Sequence, residues 1–314
     1  MTAASRPEPP GAAASSSSPL VQRLAIIGLG LIGASVGLAC RAHGLAGEIR
    51  GADLETDHCA QAIALGVVDW AVADVAVAVE GADLVLLAVP VGEMEATIKR
   101  IAPHLASGAV VTDVGSVKGL VAAVMERLLP GGNGVPGHPI TGREKSGPHA
   151  AVAELFVGSK CVLTPSASTD PAAVLRVRTL WEAIGSEVLE MSPTRHDEIF
   201  AAVSHLPHVV AYALMGAMLD LAEGGEDLRE FAAGGLKDFT RVAMSHPVMW
   251  RDICLANRKQ ILKVIGRFEV ALDTLKAMII AEDGEGLYRE FARAKAYRVG
   301  FGSGKDGDEC QRTA

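Results

Sequence analysis

The chain has 314 residues, 49% of them hydrophobic and 21% charged, with a formal net charge of −8. That balance suits a folded protein of about two domains and excludes a disordered chain, which combines low hydrophobicity with high net charge. An acidic surface with only 4% aromatic residues also excludes a general nucleic-acid binder, which needs basic patches or stacking platforms. The cysteines (Cys40, Cys59, Cys161, Cys254 and Cys310) are far apart and never in CxxC spacing. They read as reduced, mostly buried small hydrophobes, not as a disulfide framework or a zinc site.

Residues 1–22, rich in Pro, Ala and Ser, lack the apolar centre of a signal peptide and read as a flexible arm. A short apolar run at 24–27 enters a glycine turn, and helical periodicity continues over 31–43. A second strand at 48–52 ends at Asp53 and leads into a helix over 55–65. Residues 83–90 form a near-continuous apolar strand, as expected when both faces of a parallel sheet are covered. A helix (93–101), a strand (109–113), a helix (118–129) and a short strand around Val135 follow, then strands at 160–163 and 187–189 around a helix at 171–184. Alternating strands and helices predict a doubly wound α/β domain of Rossmann type over 23–190. From Ser192 the pattern becomes helical throughout (196–222, 228–243, 248–275 and about 275–296), which predicts an all-α domain over 191–300 and a frayed tail over 301–314. The most apolar helical stretch, 209–219, stops at Asp220 and is shorter than the roughly 20 residues of a membrane span. The reading is a cytoplasmic protein with no membrane or nucleic-acid partner.

Gly28-Leu29-Gly30-Leu31-Ile32-Gly33 matches GxGxxG between a strand and a helix. The first glycine permits the tight turn, the second lets the backbone approach a pyrophosphate, and the third lets helix and strand pack closely. A glycine turn that binds nothing is the alternative. Asp53, 20 residues beyond Gly33, ends the second strand where a carboxylate accepts from a ribose 2′-hydroxyl and repels a 2′-phosphate, so NAD is favoured over NADP. Val89, Pro90 and Asp113, at the ends of the next two strands, complete the candidate cofactor set.

Two further segments fall just past strand ends, where sites of this architecture assemble. One runs Thr112-Asp113-Val114-Gly115-Ser116-Val117-Lys118; the other begins Gly137-His138-Pro139 and continues through Arg143, Glu144 and Lys145. His138 is either a general base with a pKa near neutrality or a structural turn histidine. Ser116 offers a hydroxyl to orient that imidazole or to meet a substrate oxygen. His205 and His208 are three residues apart, but Pro207 interrupts the helix and no third ligand is evident, so no metal site is assigned.

GLGLIGAS (28–35), DVGSVK, GHPITGREKSG, SHLPH (204–208), GGLKDFTR (234–241), MWRDI (249–253) and Asn257 occur in this order. Together they closely resemble the prephenate/arogenate dehydrogenase family of tyrosine biosynthesis, over roughly residues 23–296. The resemblance implies NAD-dependent oxidative decarboxylation of prephenate to 4-hydroxyphenylpyruvate by a homodimer paired through its helical domains. It implies that His138 accepts the hydroxyl proton, that Ser116 orients it, and that Arg241 holds a substrate carboxylate. Ser204, His205, His208 and Glu144 join the substrate set; Asp238 would hold the pocket mouth through a cationic neighbour. Trp250 either walls the pocket or is core. Leu236, Lys237 and Arg143 depart from the family pattern, and a cation at Arg143 would favour prephenate over arogenate with its ammonium. Arogenate or dual-specificity cyclohexadienyl dehydrogenation is therefore the nearest alternative. A β-hydroxyacid dehydrogenase of the 6-phosphogluconate type, which uses a lysine of its helical domain, is more distant.

Overall fold

The computed structural model describes residues 18–142, 145–222 and 227–302. Arg143, Glu144 and Cys310 therefore lie outside the described residues, as do most of the N-terminal arm and the tail. The first domain opens with β1 (Val21–Ile27), α1 (Leu31–Ala42), β2 (Ala46–Ala52), α2 (Thr56–Ala64), β3 (Trp70–Val72), α3 (Val75–Val79) and β4 (Leu84–Leu87). It continues through α4 (Met94–Ile101), β5 (Val110–Asp113), α5 (Gly119–Leu128) and β6 (Gly134–Val135). These six strands form one parallel sheet in the order β3-β2-β1-β4-β5-β6. The order reverses between β1 and β4, and the crevice outside their carboxyl ends is where such sheets bind ligands.

Side chains alternate across a strand, and the sheet buries both sets. Leu24, Ile26, Leu84 and Leu86 enter one core with Trp181 and Phe156. Ala25, Ile27, Val85 and Leu87 enter the other, with Met94 and Val121. Trp250 and Ile253 of the helical domain pack into that second core.

The chain leaves the main sheet at Pro136. β7 (Gly137–Ile140) pairs antiparallel with β8 (Lys160–Leu163), which after α6 (Pro171–Ala183) pairs parallel with β9 (Glu187–Glu190). His138 thus lies inside a strand, opposite Val162, and not in a turn past a strand end. β3 and α3 are additions to the sequence reading; both are too short for a periodic signal.

The helical part comprises α7 (Pro193–Phe200), a π turn (Ala201–His205), α8 (Leu206–Ala222), α9 (Gly234–Thr240), α10 (Pro247–Ala256), α11 (Arg258–Ile280) and α12 (Gly284–Val299). Pro207 does not break the helix. The π turn just before it widens the ring, which accommodates a residue with no N–H to donate. The helix expected over 248–275 is instead broken at Asn257, whose amide is drawn inward to the Asp197 carbonyl and the His205 ring. The last helix starts later than expected, at Gly284, where the Asp283 side chain caps it by accepting from the Gly286 amide.

The continuous helical run Pro193–Ala222 is long and apolar enough in composition to cross a membrane. Its first half, however, is built into the first domain, with His196, Asp197, Phe200, Ala201 and His205 all buried.

Candidate active site

Gly28 has φ +96°, and a Cβ there would meet the Ala88 carbonyl oxygen at 2.4 Å, so only glycine lets β1 and the end of β4 approach this closely. At Gly33 a Cβ would fall 2.0 Å from the Gly28 oxygen, which keeps α1 tight against the turn. Gly30 is different: a Cβ there would meet nothing within 4 Å. Its backbone faces open space at the N-terminus of α1, where helix amides attract an anion. Leu29 is buried, while Leu31 and Ile32 are partly buried in the first turn of α1. Asp53 accepts from the Leu29 amide (2.7 Å) and the Glu55 amide (2.9 Å), which fixes its carboxylate beside the glycine turn. Val89, partly buried, and Pro90, exposed, continue from β4 along the same crevice.

Asp113 turns inward. It is fully buried and ion-paired with Lys118, equally buried, while accepting from the amides of Gly115 (2.8 Å) and Gly137 (3.0 Å). Lys118 also donates to the Gly137 carbonyl at 2.6 Å. The pair therefore binds the β5 loop to the strand that carries His138, and it does not face the crevice.

His138 Nδ1 lies 2.8 Å from His196 Nε2, and His196 Nδ1 lies 2.9 Å from Asp197 Oδ1. The Asp197 carboxylate also accepts from the Lys118 and Gly119 amides, both at 2.8 Å, so α7 is bound to the start of α5. Phe200 packs on both imidazoles, with ring centroids 4.8 and 4.4 Å away. Burial pushes the His138 pKa well below the usual histidine range; charge on His196, Lys118 and His205 would push it further down. The imidazole is thus neutral at neutral pH. Its Nε2 has no partner among the described residues.

Ser116, partly exposed, makes no side-chain hydrogen bond among the described residues; the imidazole's partner is His196. His205 is buried, with Nδ1 3.1 Å from the Asn257 amide, and burial lowers its pKa to about 4. His208 hydrogen-bonds the Ser204 backbone carbonyl at 2.9 Å and stacks on Trp250 with centroids 3.7 Å apart. Burial lowers the His208 pKa, and the nearby Arg241 charge adds to the effect. Trp250 is only 7% exposed; it is at once core and the floor beneath His208. Arg241, exposed, opens the turn after α9, and Asp238, also exposed, makes no ion pair among the described residues. His196, Asp197 and Asn257 were not assigned roles from the sequence. The adjacent His-Asp pair in a helix beginning with Pro was the available signal, but it resembles any solvated helix start. A cavity of about 280 Å³ lined by Met125, Glu126, Gly132, Pro136 and Thr164 contains none of these residues.

A doubly wound domain with this glycine turn, joined to a helical domain around a neutral histidine, defines a dinucleotide-dependent dehydrogenase. The family model for the prephenate dehydrogenase nucleotide-binding domain matches residues 36–190, and that for the prephenate dehydrogenase dimerization domain matches 192–293. The chain is 37% identical over 286 residues to a cyclohexadienyl dehydrogenase of Zymomonas mobilis, covering 91% of this chain and 98% of that protein. Among solved structures, prephenate dehydrogenase from A. aeolicus with hydroxyphenyl propionate and NAD+ superposes with a TM-score of 0.85 at 37% identity, covering 89% of this chain and 98% of that one. Synechocystis arogenate dehydrogenase gives 0.75 at 30% identity, covering 89% of this chain and all of that one. The chain belongs to the prephenate dehydrogenase family.

Proposed function

We propose that the protein catalyses the NAD-dependent oxidative decarboxylation of prephenate to 4-hydroxyphenylpyruvate, in the cytoplasm and as a homodimer. The observation that carries this reading is a partly buried, neutral His138 whose Nε2 has no partner among the described residues. The glycine cradle, with Gly30 facing open space beside Asp53, fits a dinucleotide. Gly28 to Gly33, Val89 and Pro90 would line it, and Asp53 would take the ribose hydroxyls in place of the Leu29 amide. When bound, NAD+ supplies the hydride acceptor.

The protein's part is to take a proton and hold charge. His138 Nε2 accepts the proton of the ring hydroxyl as hydride leaves the same carbon. The C–C bond to the ring carboxylate breaks, its electron pair completes the aromatic ring, and CO2 departs. Ser116 would bond the ring oxygen. Arg241 grips a carboxylate with its planar fork, and Ser204, His205, His208 and Trp250 frame the side chain. Glu144 and Asp238 belong to the substrate set in this reading, and Arg143 sets the preference for a keto side chain. Mixing the protein with NAD+ and prephenate should raise NADH absorbance, and arogenate in its place should give a lower kcat/KM. If neither substrate yields NADH, the reading fails.

Asp53→Ser should weaken NAD+ and relieve the repulsion of NADP+, raising relative kcat/KM for NADP+. A native enzyme that already prefers NADP+ contradicts the role given to Asp53.

The dimer is supported by α8, whose seventeen residues are mainly apolar yet include only Ala211 as buried. Leu219, Leu221, Phe239, Leu262, Ile279 and Ile280 are also exposed on the helical part. Apolar surface on this scale marks an interface. Sedimentation equilibrium should give twice the chain mass; a monomer at micromolar concentration removes the proposal.

A further inference from the structure

We propose that His196 and Asp197 are positioning residues that fix the tautomer of His138, so that its Nε2 meets the substrate hydroxyl without a proton. This rests on the reading of His138 as the base and specifies how that base is held ready.

The direction of the chain follows from its far end. Asp197, as a carboxylate, can only accept hydrogen bonds, and its oxygens already accept from the Lys118 and Gly119 amides. The contact at 2.9 Å therefore requires His196 to donate from Nδ1. A neutral imidazole has one N–H, so His196 Nε2 is left as an acceptor. The contact at 2.8 Å then requires His138 to donate from Nδ1, which leaves its Nε2 lone pair bare. Had the chain run the other way, Nε2 would carry the proton and could not act as a base.

Both histidines are neutral for the same reason. Burial is the largest cause of the downward pKa shift at each, and at His196 the Asp197 contact opposes it without reversing it. The other charged or titratable groups bearing on the two rings are Lys118, Asp113, His205 and Cys161. Lys118 is committed to Asp113 and the Gly137 carbonyl. Asp113 in turn is taken up by Lys118 and two backbone amides. Burial raises the Cys161 thiol, which stays protonated, and His205 bonds Asn257 instead. None of them competes for the His138–His196 contact.

The arrangement also spans the two domains. His138 comes from β7, whereas His196 and Asp197 come from α7, held by the amides at the start of α5 and by Asn257 on the Asp197 carbonyl. The base is therefore correctly protonated only where the helical domain is packed in place. When Nε2 gains the hydroxyl proton, His138 becomes cationic and its Nδ1–H faces the His196 lone pair, with the Asp197 negative charge behind it. Asp197 thus steadies the charge formed in the step.

The test compares the full chain with His138→Asn, His196→Gln and His196→Leu, using NAD+ and prephenate. Glutamine can place an amide oxygen near the position of His196 Nε2, so kcat should fall by about tenfold. Leucine has no acceptor, so kcat should fall by about a hundred- to a thousandfold. KM for prephenate and Kd for NAD+ should stay within about threefold in both, a split that general disruption of the site would not produce. In the unsubstituted protein labelled with 15N-histidine, the His138 signals, identified by their loss in His138→Asn, should show a protonated Nδ1 and a bare Nε2. That spectrum decides the matter even where His196→Leu does not fold. A proton on Nε2 overturns the proposal, as does an unchanged kcat in His196→Leu beside an inactive His138→Asn. Near-normal kcat in His138→Asn removes the base itself, and the proposal with it.

Discussion

Replacing His138 with asparagine should lower kcat by about 10²–10⁴-fold while leaving the affinity for NAD+ intact. Asparagine keeps part of the shape and can keep the hydrogen bond to His196, but it has no lone pair able to take a proton near neutral pH. The proposed cofactor crevice, with Gly28, Gly30, Gly33 and Asp53, does not include β7. A loss confined to kcat is therefore the expected signature. The pH profile provides a second check. The active form of a base is the unprotonated one, so activity is lost as pH falls through its pKa. Burial holds the His138 pKa well below the ordinary histidine value. The acid limb of kcat/KM should accordingly lie below pH 6.5, about where an unperturbed histidine titrates. An acid limb at or above that value, or a nearly full kcat in His138→Asn, would show that another group takes the proton.

The parts of this site readable from the sequence are those where one residue type answers a local demand. Gly28 and Gly33 have no room for a Cβ, and such positions leave a fixed spacing in the chain. Strands 24–27 and 84–87 are apolar on both faces because the sheet is covered on both sides, and that continuous pattern identified the parallel core. What could not be read depends on distant segments meeting. His196 lies 58 residues from His138, and nothing in either local pattern says that the two rings touch. Asn257 sits within a helical periodicity; only its inward hydrogen bonds to Asp197 and His205 explain why one expected helix is two. Asp113 shows the opposite limit. Its place at a strand end suggested a cofactor contact, but the nearby Lys118 takes it inward, and the two charges are buried together. The π turn before Pro207 likewise leaves no mark in a pattern read at a period of 3.6 residues.

That buried pair leads to the largest stability effect expected here. Lys118 and Asp113 have fully buried side chains in direct contact. Burial lowers the Lys118 pKa, and the Asp113 charge and hydrogen bond oppose that shift without reversing it. Lys118→Met keeps most of the volume and removes the charge. Asp113 would retain the Gly115 and Gly137 amides, but its negative charge would be buried without a counter-ion. Breaking one side of a buried pair costs about 3–5 kcal/mol, which urea denaturation would register as a large fall in the midpoint. The same change removes the donor to the Gly137 carbonyl, next to His138, so kcat should fall as well. Adding Asp113→Asn to Lys118→Met removes the stranded charge and should recover part of the stability. It should not recover kcat, because the lysine that ties β7 to the β5 loop is still missing. If the double variant is no more stable than the single one, the cost comes from lost packing, and the uncompensated carboxylate is not its cause.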